Sequence, residues 1–383
     1  MRLVLHGGFG EKGRTCMAVE AGGVRLLLDA GVKTSASGGP DYYPSIGDEA
    51  LRASDAMLIT HGHEDHVAAL GWCLEHGFRG RIYMTAQTER EADESLAGYA
   101  TPAQRELVRA ARIDRLPVND GTLCIGGLTI TTGRSGHIAG GVWCMVSDAH
   151  ARFAFCGDIV PASPVFAMDP LPRCDAVALD ASYGDDDVPA RQRATEIAEW
   201  VAAQARGCVL PTPRYGRSAE LLAIVPGPLA LAPGMREALR TQLTDAAWLH
   251  ADVARALVPR LEEAIEWQAG DPLPRAALIC HDAMGLAGPS RDILATARAE
   301  RHPTLFTGHL PKGSPGERMV DAGVAAWIRL PTHPTLRENA AVASATGARM
   351  VLGHSCEPAA LARLARHLPA LRVDVRTGDA VTI

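Results

Sequence analysis

The chain has 383 residues, 47% hydrophobic and 21% charged, with 38 Lys and Arg against 44 Asp and Glu for a formal net charge of −6. That balance excludes a disordered or fibrous chain and a histone-like polycation, while leaving room for a basic groove on one face. The length supports one large domain or two modest ones, and the nine cysteines are dispersed without a Cys-x-x-Cys pair. Such a set reads as buried free thiols in a reducing compartment rather than a disulfide framework.

In chain order, the first residues read as a strand entering a glycine turn, not a secretion signal. No apolar run approaches the roughly 18 residues of a membrane helix, so the cytoplasm is the default expectation. Apolar runs at Leu3 to Leu5, Cys16 to Glu20, Val24 to Leu28 and Ala56 to Thr60 are separated by turns. Their spacing predicts a strand meander feeding a functional loop. Helical patterns follow from Val67 to Glu75 and Gln87 to Tyr99. Further strand patterns run from Leu128 to Thr132, Gly141 to Val146, Arg152 to Phe155 and Ala176 to Leu179. Strands interleaved with helices predict an α/β architecture with helix-covered sheets.

From Val188 the texture changes. A long helical pattern spans Ala190 to Arg206, a short strand Cys208 to Leu210 and another helix Arg217 to Ile224, before breaks at Pro226, Pro228 and Pro233. Val188 to Leu330 carries 16 basic and 15 acidic residues, slightly more basic than the remainder. We read three segments: 1–187 as the first part of a main domain, 188–330 as an insertion, and 331–383 as the return.

The strongest chemical signal is Thr60-His61-Gly62-His63-Glu64-Asp65-His66. Three imidazoles and acidic side chains directly after an apolar strand form a metal-binding loop, with donors suited to zinc, manganese or iron and able to be shared between two ions. His-x-His-x-Asp-His resembles the signature of the metallo-β-lactamase fold, an αβ/βα sandwich with a dinuclear site on the edge between its two sheets. Ser135-Gly136-His137, Phe155-Cys156-Gly157-Asp158 and Leu352-Gly353-His354 occur in the order that family requires. The resemblance implies one metal held by His61, His63 and His137, a second by Asp65, His66 and His354, and Asp158 bridging them. Asp29, in Leu-Asp-Ala-Gly, resembles a buried aspartate that orients the ligand histidines; it equally fits a turn-capping carboxylate.

Three further motifs resemble the β-CASP branch of that family, whose members process nucleic acids. Leu179-Asp180-Ala181-Ser182-Tyr183-Gly184 resembles its acidic motif, after which that branch carries an inserted α/β domain. Pro213-Arg-Tyr-Gly-Arg-Ser-Ala-Glu-Leu-Leu222 and Thr307-Gly308-His309 resemble motifs of the insertion. Leu330-Pro-Thr-His333 falls where the branch has a second catalytic histidine, here flanked by Pro331 and Pro334. The fold implied is thus a metallo-β-lactamase sandwich with an inserted β-CASP-like domain. The activity implied is hydrolysis of nucleic acid, RNA ahead of DNA, by endo and/or 5′-exo cleavage, with substrate entering between the domains. The cofactor implied is a pair of divalent ions, Zn2+ or Mn2+, that generate a bridging hydroxide. Asp65 counts among the catalytic residues, and His333 with Asp180 would protonate the leaving oxygen. Arg214, Arg217 and His309 are candidate phosphate contacts, set against a solvated helix end. A homodimer and no membrane contact complete the expected partners. Two alternatives stand beside this reading: a hydrolase of a small phosphodiester, lactone or thioester, and a catalytically dead scaffold. His6, His76, His150, His250, His281, His302 and His367 are read as structural.

Overall fold

The computed structural model describes residues 1–36, 38–119 and 121–383. The chain divides into two compact units: Met1–Pro161, Met168–Asp187 and His333–Ile383 form the first, while Ala162–Ala167 and Val188–Thr332 form the second.

Two sheets organise the first unit. One has seven strands in the order Ala380–Thr382, Arg2–Gly7, Cys16–Ala21, Val24–Leu28, Ala56–Leu58, Arg81–Met84 and Ile113–Arg115. The first four run antiparallel to their neighbours. From Val24–Leu28 onward the pairing is parallel. The predicted meander therefore holds for three strands only. Ala56–Leu58 joins in parallel because the intervening stretch, including the helix Asp48–Arg52, carries the chain back to the end of the sheet at which Val24–Leu28 begins.

The other sheet has six strands, ordered Met350–His354, Ala176–Asp180, Arg152–Phe155, Val142–Ser147, Leu128–Arg134 and Thr122–Ile125. Its first three are parallel and the rest antiparallel.

Side-chain alternation shows how the layers stack. Leu27 and Met57 join Val67, Leu70 and Cys73 in one core cluster, so this face of the first sheet is covered by the helices Glu64–Val67 and Leu70–Glu75. Leu26 and Leu28 point to the other face and are equally buried. The second sheet repeats the pattern. Ala154, Val177 and Leu179 pack with Val342, Leu361 and Leu364 of the helices Leu336–Thr346 and Pro358–Leu364, while Phe153 and Phe155 are buried opposite. Sheets buried on both faces, with helices outside, make the αβ/βα sandwich. Its two halves are stitched where Val142 N donates to Thr60 O at 3.0 Å and Ser355 N to Gly8 O at 2.7 Å.

The second unit has a parallel sheet in the order Cys208–Pro211, Ala277–Cys280, Leu229–Leu231 and Ile265–Glu266. Leu305–Phe306 and Ala326–Trp327 form a parallel pair beside it, linked by a bridge between Val209 and Thr304. The helix Ala190–Ala202 stops short of the predicted Arg206, because the chain turns through Gln204–Gly207, with Gly207 at a φ of 82° that only glycine adopts readily. Among the described residues no helix is long and apolar enough to cross a membrane.

Candidate metal centre

The loop after Ala56–Leu58 is fixed from below by the Leu-Asp-Ala-Gly turn. Ala30 N donates to His66 O at 2.8 Å, Val32 N to Glu64 O at 3.1 Å, and Thr15 N to Asp65 O at 2.9 Å. The two backbones run so close that a Cβ on Gly31 would lie 1.7 Å from Asp65 O. Asp29 is fully buried with a left-handed φ of 62°. Its Oδ1 accepts from Thr60 N at 2.7 Å; Oδ2 accepts from the Thr60 hydroxyl at 2.8 Å and lies 2.7 Å from His66 Nδ1. Of its two sequence readings, the contact with His66 is the one of chemical consequence. It keeps a proton on Nδ1, so Nε2 is the nitrogen that faces a cation. Burial opposes charge on the ring, but the carboxylates of Asp158, Asp65 and Asp29 outweigh it and raise the His66 pKa well above the ordinary range, so a cation binds there by displacing the Nε2 proton.

Thr60 was not singled out from sequence. Its Oγ1 lies 3.1 Å from His61 Nδ1 while donating to Asp29, so the same carboxylate governs two imidazoles. A hydroxyl immediately before the histidines was the available signal.

His61, His63, His137 and Asp158 each offer an atom within 4.8 Å of the others. His137 Nε2 is 3.0 Å from His63 Nδ1 and 3.8 Å from Asp158 Oδ2, and His61 Nε2 is 3.7 Å from that oxygen. Donors at zinc–nitrogen distance in a tetrahedron are separated by about 3.3 Å, so these spacings fit one cation. His61 is 1% exposed and its Nε2 has no hydrogen-bond partner, a costly state for a polar atom unless an ion takes the lone pair. Burial first, then the neighbouring imidazoles of His66 and His63, hold His61 well below the ordinary histidine range; burial and His63 do the same for His137. Neutral imidazole is the form that binds metal. Burial opposes ionisation of Asp158, but positive charge on His66 and His333 outweighs it and keeps the carboxyl well below its usual range. The residues present therefore fit a divalent metal.

His66 Nε2 faces Asp158 Oδ1 at 3.2 Å and Asp65 Oδ2 at 3.8 Å. Asp65, His66 and His354, the set expected to hold a second ion with Asp158, lie outside both candidate metal groups found among the described residues, and His354 stands furthest from the expected role. Its Nε2 is 3.1 Å from Gly157 O and its Nδ1 3.1 Å from Ser355 Oγ, with the ring 6.3 Å from that of His66.

Beside this cluster stands a carboxylate–imidazole pair. Asp180 ends the strand Ala176–Asp180, fully buried, and its Oδ2 is 2.8 Å from His333 Nδ1. The same nitrogen is 3.5 Å from Asp158 Oδ2. Burial opposes the imidazolium, but Asp180 and Asp158 outweigh it and the His333 pKa is pushed up to about 10. Two residues given no role from sequence hold Asp180: Ser182, within the Leu179–Gly184 motif, whose Oγ donates to Oδ1 at 2.5 Å, and Asn339, whose Nδ2 donates to Asp180 O at 2.9 Å. Tyr183 meets the His333 ring edge-on at 5.0 Å.

Arg214, Arg217 and His309 lie in the second unit. Arg217 opens the helix Arg217–Ile224, and its Nη2 donates to Thr332 Oγ1 at 3.1 Å. Its guanidinium lies against Gly308, where a Cβ would sit 2.2 Å from Nη1.

Comparison with known proteins agrees with this architecture. Residues 10–209 match the model of the metallo-beta-lactamase superfamily. The chain belongs to that superfamily, in its β-CASP branch. Relatives include a transcription termination factor FttA of Methanothermobacter thermautotrophicus, 25% identical over 66% of this chain and 42% of that one. Endoribonuclease YSH1 of Kluyveromyces lactis is 26% identical over 59% of this chain and 33% of its own. A ribonuclease of Thermus thermophilus is 28% identical over 59% and 54%. The chain thus spans about half of these relatives' length or less. A crystal structure of a protein of unknown function from Enterococcus faecalis V583 shares the fold, with a TM-score of 0.66 over 100% of this chain and 99% of that one at 11% identity.

Proposed function

We propose that the chain is a metal-dependent phosphodiesterase that hydrolyses nucleic acid, RNA in the first place. The observation that carries this reading is the Asp180–His333 pair at 2.8 Å, standing beside the His/Asp cluster and sharing Asp158 with it. Hydrolysis by metal alone suffices where the leaving group is stable as an anion; a ribose oxygen needs a proton, and a charged imidazole beside the cluster can supply it. The names of the relatives, endoribonuclease and ribonuclease among them, support the same substrate class.

His61, His63 and His137 would hold one divalent ion, Asp65 and His66 a second, and Asp158 both; zinc is the first choice and manganese the second for such donors. His354 completes the second set by resemblance, and serves there only once its Nε2 turns from Gly157 O and gives up its proton. Bound metal supplies an activated water and neutralises charge on the phosphoryl oxygens. The chain's own residues do the rest: Asp29 and Thr60 fix the tautomers, and Asp180 aims His333 and stabilises its charge. Arg214, Arg217 and His309 remain candidates for phosphate.

The test is metal-loaded protein with end-labelled single-stranded RNA and DNA, a small chromogenic phosphodiester, and a His333→Ala variant. We expect RNA cleavage to fall about 10²–10⁴-fold in the variant, the usual worth of a general acid, while metal content is unchanged. Intact polymers alongside a hydrolysed small diester would refute the nucleic-acid reading and favour the small-substrate one.

A further inference from the structure

The parallel pair Leu305–Phe306 and Ala326–Trp327 runs on past its last ladder bond. Ile328 N donates to Phe306 O at 3.1 Å and Leu330 N to Thr307 O at 2.9 Å. The carboxyl ends of parallel strands are where α/β folds most often place ligands. At this end stand Thr307, Gly308 and His309 on one strand and Trp327, Ile328 and Arg329 on the other. Trp327 is 39% exposed, unusual for the largest apolar side chain. Its indole is not loose: Nε1 donates to Gly308 O at 2.8 Å, which fixes the ring and spends its only polar atom. The Arg329 guanidinium lies 5.3 Å from the ring centroid, within cation–π range. The floor of the same strand end carries two buried polar atoms without a hydrogen-bond partner, Thr307 Oγ1 and Arg217 Nε, the latter on the side chain that presses against Gly308.

A ring held by its one polar atom can recognise only through its faces. A guanidinium over it adds positive charge at the ring. That combination suits one ligand chemistry, an unpaired nucleobase with its phosphate, since every base has a π-face and each carries an anion beside it. We propose that Trp327 and Arg329 form a stacking platform for one unpaired base of a single-stranded nucleic acid, with the Thr307–Gly308 turn and Arg217 beneath it for the adjoining phosphate. The platform rests on the nucleic-acid reading above and deepens it. It predicts binding with little base preference and disfavours a duplex, whose bases are already stacked.

The experiment is fluorescence anisotropy of a labelled oligouridylate on the full chain in its wild-type, Trp327→Ala and Trp327→Phe forms, with melting temperatures as the check on folding. Loss of one stacking contact is worth roughly ten- to hundredfold in affinity. We expect that loss in the alanine variant, most of the affinity restored by phenylalanine, and quenching of tryptophan emission on binding by the wild type that is diminished in both variants. Wild-type affinity in Trp327→Ala would overturn the platform. So would equal loss in the alanine and phenylalanine forms, which would mark the indole as structural, or an oligomeric state that changes with Trp327→Ala, which would mark the face as a contact between copies. If the wild type neither binds nor cleaves any oligonucleotide, the failure lies with the nucleic-acid reading itself.

Discussion

Asp29→Asn changes one atom at the base of the cluster and keeps the shape. Asparagine is among the few side chains at ease in the left-handed region, so a φ of 62° is no obstacle. The carboxylate serves three donors: Thr60 N at 2.7 Å, Thr60 Oγ1 at 2.8 Å and His66 Nδ1 at 2.7 Å. An amide has one oxygen to offer. If that oxygen stays on Thr60 N, the amide nitrogen faces the threonine hydroxyl, which can reverse, and His66 Nδ1, which must then become the acceptor. The imidazole proton moves to Nε2, the atom that faces Asp158 at 3.2 Å, and the lone pair needed by a cation is gone. The other amide orientation sets two N–H donors head to head at Thr60 and costs about 1–3 kcal/mol. Loss of such an orienting partner lowers metal affinity about 10–100-fold, equivalent to about 1.4–2.8 kcal/mol. Competition against a calibrated chelator measures this directly, with thermal unfolding of the metal-free protein as the check on folding. We expect weaker metal binding on an intact fold and activity that returns when more metal is supplied. Metal affinity equal to wild type would refute the claim that Asp29 sets the His66 tautomer.

Gly31→Ala tests the close approach beneath the loop: a Cβ 1.7 Å from Asp65 O must push the backbone of the His61–His66 segment aside. Overpacking of this kind costs about 1–3 kcal/mol, so we expect a lower melting temperature and metal binding reduced at least as far as in Asp29→Asn; wild-type values for both would show the loop to be compliant. Glu11 gives a pH-dependent prediction. Burial pushes its carboxyl up, but hydrogen bonds from Arg14, Lys33 and Thr377 outweigh that and hold it below its ordinary value. A depressed pKa contributes stability that is present above the unfolded-state value and lost as pH falls through the folded one. Glu11→Gln should therefore be less stable than wild type at neutral pH, with the gap closing on acidification below the ordinary glutamate range; a gap that is constant with pH would refute it.

How much was legible follows from how local each signal is. The His61–His66 segment carries its chemistry within six residues, and Asp29, His137, Asp158, Asp180 and His333 each close a short apolar strand or follow a recognisable motif. They are brought together because strand ends of both sheets meet where Val142 bonds Thr60. The parallel entry of Ala56–Leu58 was not legible, since a three-residue apolar run looks the same in either direction. Nor were Ser182 and Asn339, whose roles depend on contacts with Asp180, in one case from 159 residues away. The orientation of His354 is of the same kind. Its position in Leu352-Gly353-His354 is set by the strand, but its ring nitrogens answer to Gly157 and Ser355, which only the folded chain supplies.

Asp158, Asp180 and His333 also fall within cation-binding distance of one another, and the group could be taken for another metal site. Counting acceptors argues against that. A carboxylate has about four lone-pair positions. On Asp180, Oδ1 accepts from Ser182 N at 3.1 Å and Ser182 Oγ at 2.5 Å; Oδ2 receives Ile159 N at 3.3 Å and His333 Nδ1 at 2.8 Å. Every position is filled by a donor, and a cation could enter only by displacing one. His333 Nδ1 carries the proton it gives to Asp180, so it has no lone pair for a metal, and an imidazolium would repel one. Asp158 differs: among the described residues no backbone or hydroxyl donor reaches it, and the groups arranged around its oxygens are imidazole nitrogens at 3.2–3.8 Å. Two buried aspartates joined through one histidine are thus assigned opposite tasks by their hydrogen bonds. Asp158 is left open to metal, and Asp180 is saturated so that it can only hold a proton donor in place.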